Sequence, residues 1–366
     1  MSHLFEPLKL RDVDLPNRIG IPPMCQYSAQ DGIANDWHFV HYGSRAVGGA
    51  ALLLTEATAV APEGRISGGD LGIWDDRHIG PLARIVQFAH AQGCTPAIQL
   101  AHAGRKASVP LGWESQHSLR DNEGGWPALA PTAMSFGEGY RVPVEMDDTA
   151  IQRVIGEFAA AARRAREAGF RVVEIHAAHG YLLHQFLSPL SNLRKDRYGG
   201  AFENRIRLLL EVVGAVRSAW EDRLPVLVRL SATDWSHGGW SIGETVELCR
   251  RLKPLGVDLA DISSGGLLQT TEVPAGPGYQ TEFAARVRRE TGIATSAVGM
   301  ITSPAQADHV IRTGQADLVL VGREILRSPY WPLAAAHALR QTVPWPHPYL
   351  RAAPAGSPSR TGAMER

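Results

Sequence analysis

Eight short apolar stretches recur along the chain, and longer segments with helical spacing of apolar positions lie between them. They are Ile19 to Pro22, Ala51 to Glu56, Thr95 to Leu100, Val172 to His176, Val226 to Leu230, Leu259 to Ser263, Thr295 to Val298 and Leu318 to Val321. Nearly continuous apolarity over so few residues predicts strands covered on both faces, as in a parallel sheet. The clearest helix is predicted over Asp148 to Ala168, where Ile151, Val154, Ile155, Phe158 and Ala162 fall near i, i+3, i+4, i+7 spacing. Asp147 or Asp148 can cap its start, and Gly169 can end it. Strand–helix alternation repeated in this way predicts βαβ units, and eight of them favour a single closed (β/α)8 TIM barrel over an open sheet.

Two segments break the rhythm. Residues 105 to 146, rich in Gly, Pro and Trp, are too long for a plain connection after the third strand. They predict an excursion over one mouth of the barrel, where a pocket wall or lid would sit. Near the end, Pro344, Pro346 and Pro348 predict an extended C-terminal arm. The expected organisation is one barrel domain over 1–351, followed by a frayed tail over 352–366.

Charge and composition narrow the function more than the fold. Lys plus Arg equals Asp plus Glu at 37 each, which leaves no net field to recruit nucleic acid or an anionic membrane. The opening MSHLFEPLKL lacks a signal-like apolar segment and no membrane-length apolar run follows, so a cytoplasmic protein is expected. Cys25, Cys94 and Cys249 are scattered without C-x-x-C spacing, which argues against a disulfide framework or a zinc or iron–sulfur site.

In a barrel the chemistry gathers where strands end, so the residues closing each stretch become the candidates. Gly299, and Gly322 with Arg323, follow the seventh and eighth stretches, a common place for a phosphate site; either glycine alone could simply make a turn. Arg229 and Gln99 would bring a permanent cation and a two-sided amide to the same mouth. Together they suit the pyrimidine edge of a flavin, which becomes negative on reduction; the plain alternative is an ion pair and a satisfied polar group. The densest feature is His176, His179 and Tyr181 at the fourth strand end, where two imidazoles could aim donors at one oxygen. A metal would need further ligands, and none stands at convincing spacing.

The segment HAAHGYLLHQFLSPLSNLRKDRYGGAFENRIRLLLE resembles the central signature of the old yellow enzymes. PPMCQYSAQDG, EATAVAPEGRI, QLAHAGRKA and AVGMITSPAQADHVIRTGQADLVLVGREILRSPYWP are similar to that family's thermophilic-like bacterial branch, so the likeness runs through nearly the whole chain. The resemblance implies an FMN-dependent ene-reductase with tightly but non-covalently bound FMN and NADPH or NADH as hydride donor. Its substrates would be enones, enals, maleimides or nitroalkenes, reduced by a ping-pong mechanism. Pro23, Met24, Cys25, Ala57, Gln99, Arg229, Gly299, Gly322 and Arg323 would contact FMN. His176 and His179 would hold the substrate's activating oxygen, Tyr181 would deliver a proton, Tyr27 would border the substrate and Cys25 would tune the flavin. Arg351 would reach a neighbouring protomer in a homodimer or homotetramer.

Val298 departs from the tryptophan that some relatives of this branch carry over the pocket, which leaves pocket shape open. A dienoyl-CoA-reductase-like flavoenzyme would need cluster cysteines and a further nucleotide domain. A flavin-binding sensor on the same barrel, or a metal-dependent barrel hydrolase, would need no reductase donor set.

Overall fold

The computed structural model describes residues 2–114 and 117–360. Eight parallel strands form a closed barrel: β1 Ile19–Ile21, β2 Leu52–Ala59, β3 Thr95–Ala101, β4 Val172–Ala177, β5 Val226–Ser231, β6 Leu259–Ser263, β7 Ala294–Ala297 and β8 Leu318–Leu320. Pairing of Val319 with Ile19 closes the ring. Every strand coincides with one of the predicted stretches. β1 stops one residue early because Pro22 has no amide hydrogen for the ladder. β2 runs three residues further than expected, to Ala59, through a register shift between Leu54 and Ala57. That shift lets Thr58 and Ala59 continue to pair with β3 beyond the irregularity.

Helices follow the strands in turn: α1 Asp36–Val47, α2 Ile79–Ala91, α3 Asp148–Glu167, α4 Arg207–Ala219, α5 Ile242–Leu252, α6 Thr281–Thr291, α7 Pro304–Arg312 and α8 Trp331–Ala338. α3 is the helix anticipated from its spacing. Asp147 caps it by accepting the Ala150 N–H at 2.8 Å, and Gly169, at φ 91°, turns the chain away after its end. Ile151, Val154 and Phe158 are fully buried, so the predicted apolar stripe is the face laid on the barrel.

The excursion after β3 packs as a satellite. Ile66, Ala103, Ala107, Val109 and Ala128 form an apolar cluster separate from the main core, with Cys25, Tyr27, Tyr140 and Tyr181 packed against it. The expected frayed tail is corrected over its described part. Trp345–Pro346 pairs with Ser359–Arg360, and Arg360 Nη1 donates to the carbonyls of Ala46, Val47 and Gln92 at 3.4, 3.3 and 2.9 Å. Those carbonyls lie at the C-terminal ends of α1 and α2, where unpaired acceptors attract a cation. Residues 361–366 of that tail lie outside the described residues. Among the described residues no helix is long and apolar enough to cross a membrane.

Candidate functional site

The C-terminal ends of the strands converge as the sequence predicts. β4 delivers His176, then turns sharply: His179 has φ 58° and Gly180 φ 72°. A side chain on Gly180 would place its Cβ 2.2 Å from the Gly266 carbonyl oxygen, because this loop packs backbone against backbone on the loop after β6. Gly180 N–H donates to His184 Nδ1 at 2.8 Å, so the His184 proton sits on Nε2, which faces buried Asp234 at 2.9 Å. Ser188 Oγ and the Trp240 N–H donate to the same carboxylate at 2.6 and 2.7 Å. Burial pushes the Asp234 carboxyl up, but His184 and these donors outweigh it and hold it below its usual range. Gln185 adds a second tie, donating to Gly180 O at 2.8 Å and accepting the Arg105 N–H at 3.2 Å.

Within that frame the His176 ring centroid lies 5.2 Å from His179 and 5.1 Å from Tyr181. Ala178 N–H donates to His176 Nδ1 at 3.3 Å, which leaves Nε2 as the His176 donor. His179 Nε2 is 2.7 Å from Ser263 Oγ, and its Nδ1 faces His176 Nε2 at 3.5 Å. Both rings can therefore donate to one ligand oxygen only if the Ser263 hydroxyl donates to His179. Burial and the Arg229 cation pull both imidazoles well below their ordinary range, so they are neutral at pH 7. Burial pushes the Tyr181 phenol well up, so it keeps its proton.

Cys25 and Tyr27 stand on the loop after β1. Glu56 anchors that loop by accepting the Gln26 N–H at 2.8 Å, and is itself held by the Tyr42 hydroxyl at 3.1 Å. Burial pushes the Cys25 thiol up, with the Asp70 and Glu56 carboxylates adding to it. Burial likewise raises the Tyr27 phenol. Tyr27 has φ 50° and stands edge-on to Trp113 at 6.2 Å; a Cβ on Gly112 would lie 2.4 Å from its ring.

Beside this cluster a cavity of about 440 Å³ opens at the mouth, with Pro23, Met24, Arg229, Gly299, Gly322 and Arg323 in its wall. Gly322 meets nothing closer than 3.6 Å from the position of a Cβ, and exposed Arg323 makes no hydrogen bond or ion pair among the described residues. Gln99 Nε2 donates to Glu174 Oε1 at 2.8 Å, while its own carbonyl oxygen receives no hydrogen bond among the described residues. Arg229 pairs with buried Asp261 at 2.8 Å and also lines the cavity, so the ion pair does not take it out of reach of a ligand there. Val298 is in the same wall. An unpartnered guanidinium beside the open Gly322 fits a phosphate, and a free acceptor at Gln99, tied to the Glu174 that Arg229 also faces, fits a polar ring edge. Ala57 lines a small adjoining space with Tyr181.

Of the expected site residues, Arg351 alone stands apart from this mouth, exposed on the short helix His347–Ala352. Glu56 and Ser263 close predicted strands but were not among the expected site residues, and neither were Asp70, Lys106 and Glu174. Glu174 sits inside the predicted fourth strand, and its signal was a polar residue within an apolar run. Among the described residues no group of three or more His, Cys, Asp or Glu could hold a metal ion.

The NADPH dehydrogenase of Listeria innocua is 48% identical over 354 residues, covering 96% of this chain and 99% of that protein. The NADPH dehydrogenase of a Geobacillus species is 47% identical over 342 residues, with 93% and 95% covered. Two solved structures share the fold at 26% identity and TM-score 0.77. These are the old yellow enzyme homologue of Zymomonas mobilis, with 92% of each chain covered, and morphinone reductase in complex with tetrahydroNAD, with 100% of each covered. The model of the NADH:flavin oxidoreductase / NADH oxidase family matches residues 3–342. The chain therefore belongs to that family, as an oxidoreductase of the old yellow enzyme type that works with FMN and NAD(P)H.

Proposed function

We propose that the protein is an ene-reductase that saturates the activated C=C bond of enones, enals, maleimides or nitroalkenes by a ping-pong mechanism. The observation that carries this reading is the neutral His176–His179–Tyr181 cluster, held rigidly beside the cavity that Arg229, Gly322 and Arg323 line. Bound FMN would supply the chemistry of hydride transfer, from NAD(P)H to the β-carbon of the substrate. Pro23, Met24, Cys25, Ala57, Gln99, Arg229, Gly299, Gly322 and Arg323 are the residues that would hold it.

The protein's own part is then electrostatic and positional. His176 Nε2–H and the His179 ring offer preorganised donors to the oxygen on which charge develops, which is worth more inside a site that excludes water. Arg229, a fixed cation, favours negative charge at the mouth. Tyr181, protonated at neutral pH, gives its proton to the α-carbon, and Tyr27 with Trp113 closes the substrate side. Neutral imidazoles suit this work because they donate without carrying a charge that must be desolvated.

Assembly belongs to the same reading: a homodimer or homotetramer in which Arg351 enters a neighbour's site. Its support is an open apolar groove of about 580 Å³, lined by Tyr330, Leu333, Trp345 and Tyr349, that lies beside the segment bearing Arg351. An unchanged Arg351→Ala variant, or a fully active monomer by sizing chromatography, would count against that part.

The central test is anaerobic turnover. Purified protein should show the visible absorption bands of a bound flavin. NADPH should bleach them, and 2-cyclohexenone should restore them. Bleaching without recovery on addition of any of the four alkene classes would reduce the reading to a flavin reductase.

A further inference from the structure

Lys106 closes the last turn of a short helix, Gly104–Lys106, in the excursion after β3, and its side chain reaches the loop that carries His179. Nζ donates to His179 O at 3.0 Å and to Gly266 O at 3.2 Å, so it bridges the loops after β4 and β6. It also lies 4.8 Å from the Tyr181 ring centroid and 4.7 Å from that of Phe136. No carboxylate pairs with it among the described residues, and two carbonyls engage only two of its three N–H donors.

A cation left without an anion inside a pocket is expensive, because desolvation is compensated only by dipoles and ring faces. A loop tie alone does not need that arrangement, since the two loops are already joined: Ser231 Oγ donates to Gly265 O at 2.9 Å and accepts the His179 N–H at 2.9 Å. The geometry points to Lys106 as the anion-selecting charge of the site, an ammonium that lowers the energy of a negatively charged ligand oxygen at His176 and His179. This rests on the proposed role of those histidines, and it narrows the ligand class to molecules that are anionic or become so.

The surrounding groups leave that charge unanswered. Arg105 is its cationic neighbour in the chain, and from β4 and its loop it faces neutral His176, His179 and Tyr181. The β6 loop and Phe136 present only backbone and a ring. Burial pulls the ammonium down to about 8, with Arg105 adding to it. Its charge is therefore present below that pH and lost above it.

The test titrates the FMN-loaded enzyme with 2,4-dinitrophenolate, an anion throughout the working pH range, and with neutral 2-cyclohexenone, following the flavin spectrum. In the wild type, dinitrophenolate affinity should be level below pH about 7 and fall as the pH rises through about 8. Lys106→Met should weaken dinitrophenolate roughly ten- to hundredfold at pH 6.5, the scale of one charge at this range, with cyclohexenone changed less than about threefold. Lys106→Arg should keep the affinity and lose the alkaline fall. Equal weakening of both ligands in Lys106→Met would make Lys106 a structural tie and overturn the inference. So would an alkaline fall that persists unchanged in Lys106→Arg, which remains decisive if Lys106→Met does not yield folded enzyme. Failure of the wild type to bind dinitrophenolate at any pH would instead remove the histidine pair as an oxygen site, and the inference with it.

Discussion

Tyr181 and Cys25 show how far a residue type can be read without its surroundings. A tyrosine two residues beyond a histidine pair suggests an acid, but whether its hydroxyl meets the cavity depends on the short helix Leu182–Leu187 that starts beside it. With its phenol pushed up by burial, Tyr181 stays protonated, and Tyr181→Phe should slow flavin reoxidation by cyclohexenone about 10²- to 10⁴-fold. Reduction by NADPH should stay within a few-fold. Stopped-flow measurement of both half-reactions separates this from a packing defect, which would slow both. Cys25 is a neutral thiol between two carboxylates, so iodoacetamide should label it slowly at pH 7 and faster only at alkaline pH. Cys25→Ala should keep FMN and shift its potential; loss of the flavin would make the thiol structural. The Ser263 contact to His179 was not legible beforehand, because a serine ending a strand has the same local pattern whether it meets a ring or solvent.

Among the elements, the turn after β4 concentrates most of the constraint. Its conformation is held by His184, Asp234 and Gln185, all contributed from segments that the site itself does not use. Asp234→Asn removes the charge facing the His184 Nε2–H inside the core, and loss of one partner of such a buried pair typically costs about 3 to 5 kcal/mol. A carboxyl held below its unfolded range contributes stability that is complete above about pH 4 and is lost as pH falls through its folded value. Thermal melts of the wild type should therefore fall on acidification below about pH 4, and Asp234→Asn should flatten that limb from a lower starting point. Gly180→Ala should be harsher at the loop itself, since φ 72° and the Gly266 carbonyl both exclude a Cβ. Phenolate binding should be lost in that variant even where it remains folded.

At the scale of the whole molecule, the barrel, the excursion and the returning C-terminal segment each depend on contacts distant in sequence. Arg360 lies more than 260 residues from the Gln92 carbonyl it caps. Arg360→Ala should leave those helix-end acceptors unpaired and cost about 1 to 3 kcal/mol, read as a lower melting temperature and faster amide exchange at the ends of α1 and α2. An unchanged melt would mean that the segment is only draped on the barrel.

Periodicity located all eight strands and α3, because a strand buried on both faces and a helix laid on it leave different apolar spacings in any sequence; residue type narrowed the cap of α3 to Asp147 or Asp148, and the structure uses Asp147. The mouth residues Gln99, His176, Arg229, Gly299 and Gly322 were legible for the same reason, since a strand end is a position along the chain. What the sequence could not decide was everything set by approach across the barrel. The donor state of His179 depends on Ser263, 84 residues away, the free charge of Lys106 on the absence of a carboxylate nearby, and the fate of residues 352–360 on helix ends far upstream. Local pattern records which face a residue shows to the core, whereas hydrogen-bond direction and charge pairing are settled only when distant segments meet.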